Sequence, residues 1–436
     1  MATADALKPG NEGSPPDWLT LDNAARIYPA SLSDWSPDVY RLSATLDAPI
    51  RVAALRLALR KVFPRFPYFQ VHLKRGLFWY YLQRDDEIPE LRPLGDVPSS
   101  VMPGPTGSCH LLRVQARGST MAVDFSHVLT DGSGALRFFG TLVTEYLRQR
   151  GVRVTSREPF LDPDEPPSPE EFEDAYCRYY DEDMPGPGKL SPAYHLPDPP
   201  LPVYRVITGR MPVDEVLLRA SGHGASLTEY LVAAYMQALA RVSEGEADGS
   251  KGRGILRIEV PVDMRRFYPS RTMRNFSLYV SPEIDLRLGD YSFQEIVQKV
   301  HHSMALQVDR RELGRQIARN VRAQRNPIVR VLPLFLKDLL LLFVRRWLGE
   351  RRYSGVLTNL GRISVPEGTG PHIERFGLML GPNTRMKSSC AVFSYGNELN
   401  VSFGSVIRSR ETERLFFRHI ADEGVQVSVS ERSGYP

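Results

Sequence analysis

In "AVDFSHVLTDGSGALRFF" (Ala122 to Phe139) a β-rich apolar run gives way to a helical pattern, with a histidine, an aspartate and two glycines at the junction. His127 ends what reads as a half-buried strand, and Asp131 follows four residues on. Gly132 and Gly134 would let the backbone turn sharply, and Ser133 could cap the helix. Imidazole titrates near 6.5, which suits it to take a proton from a hydroxyl at neutral pH. A histidine at such a turn can face a cleft while the aspartate turns inward. The spacing alone fits a histidine without a chemical role equally well.

Other catalytic patterns are missing. The chain has no Gly-x-Ser-x-Gly elbow, no phosphate-binding Gly-x-x-x-x-Gly-Lys loop and no His-Glu-x-x-His, and His301-His302 lacks a third ligand at a recognisable spacing. No metal is therefore expected. Cys109, Cys177 and Cys390 are odd in number and far apart, so neither a disulfide framework nor a zinc knuckle is supported. A reducing, cytoplasmic compartment follows as the expectation.

The elements that must carry His127 alternate along the chain. A strand ("VYRLSATLDAPI"), a helix ("RVAALRLALRKVF") and a hairpin turning at Arg75-Gly76 come first. Two strands joined at Gly118 then lead into the helix "SGALRFFGTLVTEYLRQR". Between Glu158 and Pro202 prolines and acids crowd together, too polar to fold alone and suited to a crossover. Beyond it come "VYRVITGRMP" (strand), "SLTEYLVAAYMQALARV" (helix), "GILRIEVPVDM" (strand), a helix from about Ser292 to Leu306, three strands and a last helix, "SRETERLFFRHIAD". The predicted fold is α/β, divided into a disordered lead (1–18), a first half (19–157), the crossover (158–202) and a second half (203–436).

The 436 residues, 42% hydrophobic, suffice for packed cores, and a net charge of +4 with interspersed signs is too mild to argue for nucleic acid. The N-terminal "MATADALKPGNEGSPPDW" lacks the basic and apolar regions of a secretory signal.

"HVLTDG" resembles the His-x-x-x-Asp-Gly motif of the CoA-dependent acyltransferase superfamily, which includes chloramphenicol acetyltransferase, condensation domains and alcohol acetyltransferases. "SLTEYLVAAYMQAL", "IEVPVDMRR", "NFSLYV" and "LTNLG" follow in the order of alcohol-acetyltransferase-like members, and the resemblance spans about Asp22 to Val429. It implies two similar halves, each a mixed β-sheet with flanking helices, meeting at an active-site tunnel. His127 is then the general base that lets an alcohol or amine attack an acyl thioester, with no acyl-enzyme. The co-substrate would be acetyl-CoA or another acyl-CoA, with no tightly bound cofactor.

By the same resemblance Asp131 is structural and pairs with Arg265, the matching arginine of "PVDMRR", as a bidentate pair that fixes the turn. A tetrahedral intermediate needs a donor for its oxyanion, for which Thr358, Asn359, the backbone near Gly361 and, more weakly, Asn275 are candidates. Each fits a plain strand-end polar turn as well. Arg266, Arg271 and Arg274, with Lys251 and Arg253 close in sequence, could meet CoA phosphates or simply form a solvated face. Many condensation domains carry a second histidine at the position of Ser126; its absence tilts the reading from carrier-bound toward free CoA donors. A carrier-protein donor and a noncatalytic binding module of the same fold are the alternatives.

One stretch lies outside this scheme. "IVRVLPLFLKDLLLLFVRRWLGERR" (Ile328 to Arg352) reads as one helix with Leu336, Leu340, Phe343 and Trp347 on a stripe and Lys337, Asp338 and Arg345 opposite. Its apolar run is too short to span a bilayer. It fits a helix packed on the protein body or an interfacial helix contacting a membrane surface.

Overall fold

The computed structural model describes residues 17–33, 36–98, 102, 110–188, 190–245, 254–344, 350–384 and 386–434. Residues 1–16 of the expected lead, Cys109, Lys251, Arg253, Arg345, Arg346 and Trp347 lie outside them.

Two mixed sheets dominate. The first has five strands in the order Ile373–Leu380, Val39–Leu46, Thr120–Ser126, Leu112–Arg117 and Arg92–Pro93. In the second, Gly355–Ile363 pairs in parallel with both Ile255–Asp263 and Ser388–Tyr395, and the order continues through Glu398–Ser405, Tyr204–Pro212 and Ser428–Gly434. The hairpin Val71–Arg75 and Tyr80–Arg84 forms a third, small sheet with Trp18–Thr20. Helices Val52–Val62 and Gly132–Gln149 pack together in the first half, and Leu227–Glu244 packs between Phe293–Gln307 and Glu411–Asp422 in the second. Capping boxes at Ser226/Glu229 and Ser292/Glu295 start two of these helices where the chain must leave a loop.

Strand Ile373–Leu380 comes from the second half of the chain yet completes the first sheet, antiparallel to Val39–Leu46. The part after 203 therefore lends a strand to the first sheet, and the sheets do not follow the sequence boundary. Thr120–Ser126 is buried on both faces from Met121 to Ser126, not half-buried, because it lies in the middle of its sheet. Arg41 and Asp124, direct cross-strand partners, are buried there with Nε to Oδ1 at 2.6 Å and Nη2 to Oδ2 at 3.0 Å. A register slip would strand both charges in the core.

The crossover is held more tightly than its composition suggests. Glu171 is buried against Arg65, with Nη1 and Nη2 at 2.7 and 2.9 Å from its oxygens, and it accepts from the Tyr68 hydroxyl at 2.9 Å. Ala175 and Tyr176 pack with Met264, Phe276 and Leu313. One buried fork and two apolar anchors make this segment a strap across the molecule.

The stretch from Ile328 is two helices, Pro327–Val331 and Leu334–Val344, because Pro333 ends the first. In the second helix Lys337 is turned inward, 3% exposed, whereas Leu339 is 63% and Phe343 58% exposed. No helix among the described residues is long and apolar enough to cross a membrane.

Replacing Glu171 with Gln should leave Arg65 short of a counter-charge and lower unfolding free energy by about 3 kcal/mol in chemical denaturation. A change within about 0.5 kcal/mol would mean that the fork adds nothing net.

Candidate active site

Asp131 is the N-cap of helix Gly132–Gln149, and its two oxygens divide the work between the halves. Oδ1 accepts from the backbone of Ser133 and Gly134, each at 3.1 Å. Oδ2 accepts from Arg265 Nη1 at 2.9 Å and from the Phe276 amide at 2.7 Å. The contact with Arg265 is thus one hydrogen bond, not the expected bidentate fork, since the second oxygen is spent on the cap. Asp131 caps the helix; Ser133 instead donates its hydroxyl to Asp263 at 2.8 Å.

Arg265 lies in the 3-10 turn after strand Ile255–Asp263. Nη1 also reaches Asp263, while Nε and Nη2 donate to Thr272 O and Nη2 to Arg274 O. Burial alone would lower its pKa, but the Asp131 and Asp263 carboxylates outweigh burial and hold it above the ordinary arginine value. The guanidinium stays charged.

The glycines serve approach, not a left-handed turn. A Cβ on Gly134 would lie 2.3 Å from Met273 O, and one on Gly132 would lie 2.6 Å from Leu360 Cδ2. At Gly134 a larger residue would press on the second half's backbone at Met273, whereas at Gly132 the Leu360 side chain would have to move aside.

His127 follows strand Thr120–Ser126 at this junction. Its N–H donates to Asp38 O at 2.9 Å, and its carbonyl accepts from Asn275 Nδ2 at 3.0 Å. The partly buried imidazole sits between two tyrosines: Tyr28 stacks at 5.5 Å between centroids and Tyr40 lies at 4.5 Å. Tyr40 donates its hydroxyl to Thr130 O, which fixes its ring beside the imidazole. Tyr28 and Tyr40 were not singled out in the sequence, where neither stands near a motif.

The other candidates separate. Asn275 donates through the same amide nitrogen to Asp22 Oδ2 at 3.1 Å as well as to His127 O, so it braces the histidine backbone and is committed away from an oxyanion. Asn359 donates to Thr228 and accepts from Gly361 N at 2.8 Å, bracing the irregular stretch of strand Gly355–Ile363 that carries Leu360 onto Gly132. Thr358 is partly buried on the same strand. Arg274 is 4% exposed and donates to Thr20 O and Phe172 O, which makes it a buried strut and not a cation facing a phosphate. Arg266 and Arg271 are exposed. Ser126 is buried, and its hydroxyl accepts from Val128 N at 3.2 Å.

Beneath His127, Asp22 is buried beside Asn275 and Arg274. Burial pushes its carboxyl up to about 6, against the pull of Arg274. Elsewhere, His72, Asp85 and His110 on and beside the small hairpin sheet bring metal-ligand atoms within 4.8 Å of one another. The two cavities described, of about 330 and 480 Å³, are lined by other residues than His127.

No family profile matches the sequence, and no curated protein matches it. Solved structures do. The fold is that of the class comprising chloramphenicol-acetyltransferase-like acyltransferases and the condensation and epimerization domains of peptide synthetases. The polyketide synthase associated protein 5 of Mycobacterium tuberculosis superposes with a TM-score of 0.60 at 15% identity, over 93% of this chain and 98% of that one. TRI101 of F. graminearum, solved with coenzyme A and deoxynivalenol, gives 0.60 at 12% identity over 94% and 99%. The trichothecene 15-O-acetyltransferase TRI3 of Fusarium sporotrichioides gives 0.58 at 11% identity over 95% and 97%.

Asparagine at 131 would turn an NH₂ toward Arg265 and the Phe276 amide, donor against donor. Asp131→Asn should therefore lower the melting temperature by on the order of 10 °C, read by calorimetry. The Asp22 carboxyl favours its neutral form in the folded chain, so its stabilising contribution is complete below the ordinary value of roughly 3.9 and is lost as pH rises through about 6. Relative to Asp22→Asn, the wild type should lose melting temperature between about pH 4 and pH 7; parallel profiles would contradict this.

Proposed function

We propose that the protein is an acyltransferase that moves an acyl group, acetyl or longer, from a CoA thioester to an alcohol hydroxyl, with His127 as general base. The observation that carries the reading is the His127 turn, gripped by both halves and walled by Tyr28 and Tyr40. Support comes also from relatives in fold that hold coenzyme A or are O-acetyltransferases.

In this reaction the imidazole takes the hydroxyl proton as the oxygen attacks the thioester carbonyl. The C=O electrons become an oxyanion, and the Thr358 hydroxyl is our remaining side-chain candidate to donate to it. Collapse restores the carbonyl and breaks the C–S bond, and the leaving thiolate takes the proton back from the imidazolium. The products are an ester and free CoA thiol. Asp131, Gly132 and Arg265 act by position, and exposed Arg266 and Arg271 are candidates for the CoA phosphates. No step calls for a metal or a bound cofactor.

A carrier-protein thioester would react by the same steps. Ser126, in place of a second histidine, favours the free CoA donor.

Thiol release from acetyl-CoA and longer acyl-CoAs with a panel of alcohols and amines tests the reading. Release should depend on acceptor and fall by about 10³-fold or more in His127→Ala with its melting temperature kept. Release only from carrier-loaded donors would select the second reading, and ligand binding without turnover from any donor would leave a binding module.

A further inference from the structure

A helix in water normally turns leucine inward and lysine outward. Helix Leu334–Val344 does the reverse. Lys337 Nζ donates to Phe78 O at 2.9 Å and to Arg330 O at 3.2 Å, and lies 3.3 Å from the centroid of the Trp79 ring. Asp338 accepts from Arg75 Nη2 at 3.1 Å and from the Tyr80 hydroxyl at 3.0 Å, and the Leu334 N–H donates to Leu77 O at 2.9 Å. These bonds pin the polar side of the helix to the hairpin. They also fix what faces out: Ile328, Val331, Phe335, Leu339 and Phe343, joined at the hairpin tip by Leu77, all exposed. Phe335, Leu339 and Phe343 recur every four residues and so share one side of the helix, and exposed apolar residues gathered in this way mark a binding face.

The charge around it identifies the occupant. From Arg310 to Arg352 the chain carries twelve Lys and Arg against three Asp and Glu, although its net charge is only +4. Arg325, just before helix Pro327–Val331, and Arg330 within it are exposed. A second copy seated on the same face would bring arginine against arginine, whereas anionic headgroups would meet the arginines while acyl chains take the leucines.

We propose that the helices Pro327–Val331 and Leu334–Val344, with the hairpin tip at Leu77 and Phe78, seat the protein on an anionic membrane surface and receive an acceptor dissolved in the bilayer. The docking face adjoins the site: helix Leu334–Val344 packs on Pro29–Ser31, directly after Tyr28, whose ring stacks on His127. The acceptor is then a long-chain or otherwise lipophilic alcohol. This part rests on the acyl-transfer reading; the docking does not.

The test is co-sedimentation of the full chain with phosphatidylcholine vesicles, with and without phosphatidylglycerol, beside Leu339→Asp/Phe343→Asp. Both positions are exposed and outside the catalytic machinery, so the variant should melt with the wild type. The wild type should sediment with anionic vesicles, less so in high salt, and the variant should bind about tenfold more weakly. Wild type left in the supernatant, or a variant that sediments equally, would overturn the docking. So would a wild-type dimer, seen by ultracentrifugation, that the variant abolishes. Thiol release separates the two claims: both proteins should be equal with a short soluble alcohol, and only the wild type should be accelerated by vesicles carrying a long-chain one. Equal rates on such vesicles would overturn the bilayer acceptor. Vesicle binding without release from any alcohol would sink the transfer reading while the docking stood.

Discussion

The Asp131 carboxylate is the point on which the arrangement turns. Its four hydrogen bonds are split evenly, two to the start of its own helix and two to the other half of the chain. The cap sets the helix on the end of strand Thr120–Ser126, and the Arg265 and Phe276 bonds hold that corner against the second sheet. His127 lies four residues before the carboxylate, so its position is settled by both. A charged pair buried this way is a poor source of net stability but a strict geometric constraint, because any other docking of the halves strands a charge.

The same logic extends outward from the corner. Thr130 donates to Met273 O, Ser133 to Asp263 and Asn275 to His127 O, so that each residue of the turn with a polar side chain is answered from across the junction. Asp22, Arg274 and Thr20 tie the first described segment to the same place, and Glu171, through its backbone bond to Met273, ties in the crossover. Distant parts of the chain thus converge on one turn. The strand Ile373–Leu380, lent by the second half to the first sheet, makes the junction hard to open by sliding.

What could be read beforehand was what rests on local pattern. The strands and helices around His127 follow from periodicity, and the Asp131–Arg265 partnership from the resemblance carried by the motif. Less legible was whatever depends on who covers whom. Strand Ile373–Leu380 and helix Arg310–Arg325 went unnoticed, the first because its partner lies more than 300 residues away, the second because its many arginines mask a narrow apolar stripe of Leu313, Ile317 and Val321. Asn275 and Arg274 looked like binding groups because sequence displays a polar side chain without its partners. Their commitment to Asp22 and to backbone carbonyls is visible only in three dimensions.

The helix Leu334–Val344 shows the limit from the other side. Its sequence sets Leu336, Leu340 and Phe343 apart from Lys337 and Asp338, but pattern says only that two faces differ. It does not say which faces solvent. The direction is decided by the hairpin, which offers a tryptophan ring and a backbone carbonyl to Lys337, and an arginine and a tyrosine hydroxyl to Asp338. Once those polar partners are taken, Leu336, Leu339, Leu340 and Leu342 are left exposed. An inward lysine and an outward leucine on one helix is an arrangement that water alone would not favour, and the helix held this way packs on Pro29–Ser31, directly after Tyr28. The exposed apolar face and the His127 turn are therefore joined through one short segment, Tyr28 to Ser31.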